Sequence, residues 1–356
     1  MQISAIFWRL VYSPHDIICY AVYKEIMKKI LVLGAGGFIG GHLASKLFKQ
    51  GNWVRAVDIK QHAYGIDSSE FIQGDLSDFG FCQRMIKALD GSCFDEIYQL
   101  AADMGGAGYI FTGENDANVM MNSSMINLNI LKSQVLLNNA LNKNITKIFF
   151  SSSACVYPED KQLVTDNPGL KEVDAYPANP DSEYGWEKLF SERLYLAFHR
   201  NHNIPIRIAR FHNIFGPEGT WSGGQEKAPA AICRKIAMAN LKDKIEIWGD
   251  GLQTRSFLYI EDCLDAVEVL MKSESIGPIN IGSDFMISIN ELVNLVASFE
   301  NKTIQIIHAS GPQGVRGRNS NNDLMSKELG WNYKGNLEDG LKKTYFWISK
   351  QISQSS

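Results

Sequence analysis

Hydrophobic positions along this chain alternate between two rhythms. Short unbroken apolar runs, of which Lys29 to Leu33 is the first, suit strands buried on both faces. Stretches of helical period lie between them. The pattern predicts strands at 29–33, 53–59, 70–76, 96–102, 147–152 and 206–210, and helices at 38–50, 79–89, 118–142 and 183–201. Strands that alternate with helices imply an α/β fold, a Rossmann-type doubly wound parallel sheet. After residue 155 the rhythm loosens, and Pro158, Pro168, Pro177 and Pro180 mark a long loop region. Residues 216–260 are rich in Gly, Trp and charge and suit a substrate-facing segment, and 284–345 reads as a smaller α/β lobe.

Composition narrows the function class. The chain has 356 residues, 45% hydrophobic and 21% charged, as expected of a soluble globular protein. Lys and Arg total 35 against 39 for Asp and Glu, a net charge of −4 that argues against a nucleic-acid partner. No apolar run reaches the ~18 residues of a membrane helix, so no membrane partner is expected. The six cysteines, Cys19, Cys82, Cys93, Cys155, Cys233 and Cys263, include no CxxC pair. That spacing suits a reducing, cytoplasmic setting and offers no metal site. Residues 1–26 are apolar only in pieces, interrupted by Arg9, Pro14, His15 and Asp16, and lack the layout of a signal peptide. They are expected to be an extension, from a start codon placed too early, with an amphipathic packing arm as the alternative.

The first chemical motif is Gly34-Ala-Gly-Gly37-Phe38-Ile39-Gly40, between a predicted strand and a predicted helix. Glycines at this spacing allow a tight turn, close approach of a pyrophosphate and close helix packing, with the helix N-terminus facing the phosphates. Asp58 ends the next strand, eighteen residues after Gly40, where an acid can accept from the adenosine ribose hydroxyls. That acid favours NAD, while Lys60 leaves NADP open.

The GxxGxxG spacing resembles the extended short-chain dehydrogenase/reductase family, the NAD-dependent epimerases and dehydratases. Gly74-Asp75-Leu76 matches its adenine-side acid, and Leu100-Ala101-Ala102 its strand end beside the nicotinamide ribose. Ser151-Ser-Ser153 and Tyr184-Gly-Trp-Glu-Lys188 match its catalytic serine and Tyr-xxx-Lys pair. Tyr184 and Lys188 share one helical face at i and i+4. An ammonium there is expected to pull the phenol down from ~10 toward neutrality, for proton exchange with a substrate hydroxyl while a nicotinamide takes hydride.

Ser153-Ala154-Cys155-Val156-Tyr157-Pro158 departs from most of these relatives by its thiol. Gly223-Gly-Gln-Glu226-Lys227-Ala228-Pro-Ala-Ala puts a lysine in a Gly-rich loop before a helix. Together with Gln253-Thr254-Arg255-Ser256 and Val315-Arg-Gly-Arg318, these stretches resemble the GDP-mannose 3,5-epimerase subfamily over residues 28–350. The resemblance implies oxidation at the sugar C4, which acidifies C3 and C5. Cys155 is then the expected base and Lys227 the expected acid that exchange protons there before C4 is reduced again. Their ordinary pKa values of ~8.5 and ~10.4 require the site to lower both. Implied substrate contacts are Gly105, Ser153, Ala154, Cys155, Asn213, Glu226, Lys227, Ala228, Lys235, Gln253, Thr254, Arg255 and Arg318, the last beside a diphosphate that Arg316 could share. His212 is expected to be structural. Residues 110–119 depart from the subfamily pattern, as does the end at Ser356, short of the plant members' tail.

The implied organisation is an N-terminal extension at 1–27, a mainly NAD-binding domain at 28–215, a mainly nucleotide-sugar-binding lobe at 216–350 with crossovers between the two, and a tail at 351–356. A homodimer through the helices near 118–142 and 183–201 is implied by the four-helix bundle common in the family. A UDP-sugar 4-epimerase, a 4,6-dehydratase and an idle NAD-binding regulator are the alternatives.

Overall fold

A computed structural model of the chain describes residues 27–143, 145–311 and 314–355. The expected extension at 1–26 lies outside them. The chain runs β1 (Lys29–Leu33), α1 (Phe38–Lys49), β2 (Trp53–Asp58), β3 (Glu70–Gln73), α2 (Phe79–Met85), β4 (Glu96–Gln99), α3 (Ala107–Ile110), α4 (Asp116–Leu141) and β5 (Lys147–Ser153). It continues with α5 (Glu183–His202), β6 (Ile206–Phe211), β7 (Ile214–Phe215), α6 (Ala228–Met238), β8 (Lys244–Trp248), β9 (Thr254–Ser256), β10 (Leu258–Tyr259) and α7 (Ile260–Lys272). It closes with β11 (Ile279–Ile281), β12 (Met286–Ser288), α8 (Ile289–Ser298), β13 (Gln305–Ala309), β14 (Gly317–Arg318), α9 (Asp323–Leu329) and α10 (Leu337–Ser355).

Seven parallel strands form the main sheet in the order β11-β6-β5-β4-β1-β2-β3. The doubly wound parallel sheet expected from the hydrophobic rhythm is therefore present. Its strands bury both faces, because successive side chains point opposite ways. Ile30 and Val32 join one core with Leu43, Ala44 and Leu47 of α1 and with Val267 and Leu270 of α7. Leu31 and Leu33 join the other with Cys82 and Met85 of α2, Ile130 and Leu131 of α4 and Tyr195 of α5. Strand order reverses between β1 and β4, which opens a crevice at their C-terminal ends, the usual ligand position in such sheets. Beyond residue 215 the small sheets β12-β9-β14 and β13-β8 lie outside this sheet, while β11 returns to it.

Three elements end at least three residues earlier than the periodicity predicts: β3 at Gln73, α2 at Met85 and β4 at Gln99. α2 stops at Met85 because the Arg55 guanidinium takes the carbonyls of Met85 and Lys87, at 3.0 and 2.7 Å. β4 stops at Gln99, whose side chain accepts from Ala101 N at 3.2 Å and donates to Ala101 O at 2.9 Å. That side chain replaces the ladder and holds Ala101 beside the crevice.

Candidate active site

The crevice wall is made of backbone. The chain leaves β1 through Gly34 at φ +90°, a left-handed conformation that favours glycine. A Cβ on Gly34 would lie 2.6 Å from Ala101 N, and one on Gly40 would lie 2.1 Å from Gly34 O. Only glycine permits these approaches. Gly37 caps α1 with no side-chain hydrogen bond, and the first turn holds no acid. Phe38 and Ile39, which open α1, pack partly buried against the core. The leading N–H groups of this helix are thus presented to an anion, with the helix dipole in support. Asp58 accepts from Gly36 N at 2.9 Å and from Lys60 N at 3.0 Å, which fixes its carboxylate at the lip of the turn. Asp75 accepts from Ser77 N at 2.8 Å, and Leu76 is buried behind it. A turn with no room for a Cβ at Gly34 or Gly40, an uncapped helix and a fixed carboxylate fit the pyrophosphate and ribose of NAD.

The second part of the site is made of side chains. Ser153 ends β5, and its hydroxyl accepts from Cys155 N at 3.2 Å, capping the single helical turn Ala154–Val156. Ser182 caps α5, accepting from Gly185 N at 3.2 Å. A Cβ on Gly185 would lie 2.1 Å from Cys155 O, so glycine lets α5 descend onto that turn. This brings Tyr184 into hydrogen-bonding contact with Ser153. Lys188, one helical turn on, donates to Ser151 O at 3.0 Å and stands 5.6 Å from the centre of the Tyr184 ring.

The electrostatics correct one expectation. Burial pushes the Tyr184 phenol well above its ordinary range, with the Cys155 and Glu187 charges adding to it. The i, i+4 lysine was expected to do the opposite. Lys188 is itself pushed down by burial, and desolvation is the larger effect on both groups. Cys155 departs from expectation in the same way. Burial and then the Asp181 carboxylate push its thiol up, while Arg318 and the Ser153 hydroxyl pull against them. Lys227 follows the expectation, for burial of its ammonium pushes it down. Lys227 is the N-cap residue of α6 and retains exposed surface, yet its ammonium is crowded by protein and makes no ion pair among the described residues. The charge of Cys155 acts on Tyr184, Lys188 and Lys227, so all three lie within its electrostatic reach.

The remaining expected contacts are held mainly by internal partners. Glu226 accepts from Arg234 at 2.8 Å and from Gly224 N at 2.7 Å, which orders the loop that carries Lys227. A Cβ on Gly106 would lie 2.7 Å from Gln225 O, so this loop packs on the segment that begins at Gly105. Ala228 opens α6 against the core. Lys235 donates to Glu246 O at 2.6 Å, Gln253 to Trp248 O at 3.1 Å, Thr254 to Thr165 O at 2.5 Å and Asn213 to Ser256 O at 2.9 Å. Arg255 donates to Thr254 O at 2.7 Å. Arg316 pairs at the surface with Asp250, at 2.7 and 2.8 Å. Arg318 is buried, and its guanidinium is directed at Cys155, Gln162 and Asp181. His212 is fully buried 3.0 Å from Asn280 Oδ1, and burial pushes it down to about 3, so it is a neutral structural residue. Sequence reasoning missed Asp181 and Gln162, which lie in the proline-marked loops without a motif. It placed residues 110–119 near the sugar pocket only as a departure from the subfamily pattern. Ile110 and Val119 pack with Cys155 and Tyr184, and Tyr109 and Phe111 flank them.

This arrangement can be set beside known proteins. The sequence model of the NAD dependent epimerase/dehydratase family matches residues 30–282. The chain belongs to that family. Within it, GDP-mannose 3,5-epimerase of Arabidopsis thaliana is 46% identical over 341 residues, 93% of this chain and 87% of its own. GDP-mannose 3,5-epimerase 1 of Oryza sativa subsp. japonica is 45% identical over 326 residues, 92% of this chain and 83% of its own. Among solved structures, UDP-glucose 4-epimerase of Thermotoga maritima with UDP-glucose superposes with a TM-score of 0.80 over 91% of this chain and 99% of its own, at 22% identity. UDP-glucuronic acid 4-epimerase of Bacillus cereus, in complex with UDP-glucuronic acid and NAD, is 25% identical with a TM-score of 0.74, over 91% of this chain and 99% of its own. The epimerase/dehydratase fold and its NAD cradle are thus shared by this chain.

Proposed function

We propose that this chain is an NAD-dependent isomerase that epimerises GDP-mannose at C5, to GDP-L-gulose, and at both C3 and C5, to GDP-L-galactose. The observation that carries the reading is that Cys155, packed with Tyr184, acts electrostatically on Lys227 from a distant segment. NAD held by the Gly34–Gly40 turn and Asp58 would supply the hydride acceptor, and later the hydride donor, for the sugar C4. Tyr184 accepts the C4 hydroxyl proton, with Ser153 orienting the phenol and Lys188 supplying positive charge as the phenolate forms. The resulting ketone acidifies the hydrogens at C3 and C5, both alpha to it. Cys155 as thiolate removes such a proton, and Lys227 as ammonium delivers one to the opposite face of the ring, which inverts the centre. Tyr184 returns its proton to the C4 oxygen as the ketone is reduced.

The thiol and ammonium argue against a 4-epimerase or a 4,6-dehydratase, neither of which needs a proton exchanged at both C3 and C5. The intact Ser153, Tyr184 and Lys188 argue against an idle regulator. Incubation with GDP-mannose in deuterated water should place deuterium at C3 and C5, read by NMR. Label at neither carbon would overturn the assignment.

The working unit is a homodimer. Met121, Met125, Leu128 and Leu136 of α4 and Trp186 and Phe190 of α5 are exposed, an apolar surface that suits a four-helix bundle with a second copy. Light scattering at micromolar concentration should read twice the chain mass, and a monomer would contradict it. The five described cysteines are free, which supports a cytoplasmic, reducing location.

A further inference from the structure

Cys155 stands within a buried cluster of charged and polar groups drawn from four segments. Arg318 comes from β14, Arg255 from β9, Asp181 from the loop before α5, and Gln162 from the turn Glu159–Gln162. Arg318 commits all three nitrogens. Nε donates to Gln162 Oε1 at 2.6 Å, Nη1 to Cys155 Sγ at 3.4 Å, and Nη2 to Asp181 Oδ2. The side chains of Arg318 and Asp181 are only 7% and 3% exposed. Gln162 is anchored by its own donation to Tyr157 O and Pro158 O, at 3.1 and 3.2 Å. The second Asp181 oxygen accepts from Ser182 Oγ at 2.9 Å, and Ser182 is the cap of the helix that carries Tyr184.

We infer that Asp181 is a positioning residue for Cys155: it holds the Arg318 guanidinium so that Nη1 donates to the sulfur, and so sets the thiolate for proton transfer at the sugar ring. The link to sugar chemistry rests on the function proposed above, whereas the contact itself does not. Asp181 balances one arginine of the cluster, so Arg255 supplies the remaining positive charge. Burial and the like charge of Arg318 push Arg255 down to about 9. A Cys155 thiolate therefore leaves Arg255, Arg318, Asp181 and Cys155 together neutral. Tyr184 and Lys188 of α5 and Lys227 before α6 are the other titratable groups that the Cys155 charge acts on, and the Ser153 hydroxyl hydrogen-bonds to it.

Charge and tether can be separated by two substitutions. Asp181→Asn keeps an acceptor for Arg318 but removes the negative charge, so the full guanidinium charge acts on the sulfur. Asp181→Ala removes the tether, so the sulfur loses its donor. Both are made in the full chain with its NAD, and thermal melting and extracted NAD content check the fold. The thiolate of Cys155 is titrated by its ultraviolet absorbance, as the difference from the same protein carrying Cys155→Ala. The pH profile of deuterium exchange at C3 and C5 is read in parallel. Asp181→Asn should lower the thiol midpoint by roughly 1 pH unit, and the acid limb of the profile should move with it. Asp181→Ala should raise the midpoint and slow exchange about tenfold, less than the ~100-fold expected for losing a general base outright. If Asp181→Ala does not fold, Arg318→Lys keeps the charge without the fork and should also raise the midpoint. Unchanged midpoints, or shifts of both Asp181 variants in the same direction, would overturn the inference. The titration needs no substrate, so it decides this point even if the wild-type protein exchanges no deuterium.

Discussion

The cofactor cradle and the acid–base corner are built in opposite ways. The cradle is backbone, contiguous from Gly34 to Gly40, with one fixed carboxylate, Asp58, beside it. Its shape follows from where side chains are missing. The acid–base corner is made of side chains from segments far apart in the chain, and its properties follow from which charges meet under burial. A cradle of the first kind tolerates change around it as long as its glycines stay. In a corner of the second kind, one substituted charge alters every neighbour.

The largest effects should come from splitting the two functions. Tyr184→Phe should abolish oxidation at C4 and everything after it, a loss of ~100- to 10,000-fold. Cys155→Ala should leave C4 oxidation in place, visible as transient NADH absorbance, yet lose deuterium exchange at C3 and C5 by a similar factor. Exchange at the wild-type rate in Cys155→Ala would reduce the sulfur to packing and erase the comparison.

A smaller effect tests the cradle. In Gly40→Ala the new Cβ would meet Gly34 O at 2.1 Å, a backbone atom that cannot swing away. The substitution should cost ~1–3 kcal/mol by overpacking and deplete bound NAD. The melting temperature and the NAD recovered per chain check this, and full NAD content with an unchanged melt would show that the turn is not rigid.

The smallest effect concerns the carboxylate at the cradle lip. Asp58→Asn keeps an acceptor but loses the charge that strengthens bonds from ribose hydroxyls and repels a 2′-phosphate. NAD affinity should fall by about tenfold, the scale of one hydrogen bond to a charged group, and the preference over NADP should narrow. An unaltered preference in cofactor titrations would mean that selectivity lies elsewhere, for instance in Lys60.

The sequence by itself determined the sheet and the cradle. Both depend on local rules, namely apolar runs that bury on two faces and glycines whose missing Cβ atoms act within one turn. The pairing of Tyr184 with Lys188 was legible for the same reason, as one helical turn separates them. Cys155 and Lys227 were found only through resemblance, since neither carries a local signature. Only the tertiary structure decided that burial would outweigh Lys188 at the Tyr184 phenol, because desolvation depends on everything packed around a group. Only the tertiary structure turned Arg318 toward Cys155 and brought Asp181 to it, from 137 residues away in the chain. Interactions across such separations leave no period and no spacing to read. They exist once the sheet, the loop before α5 and the last short strand have closed on one another.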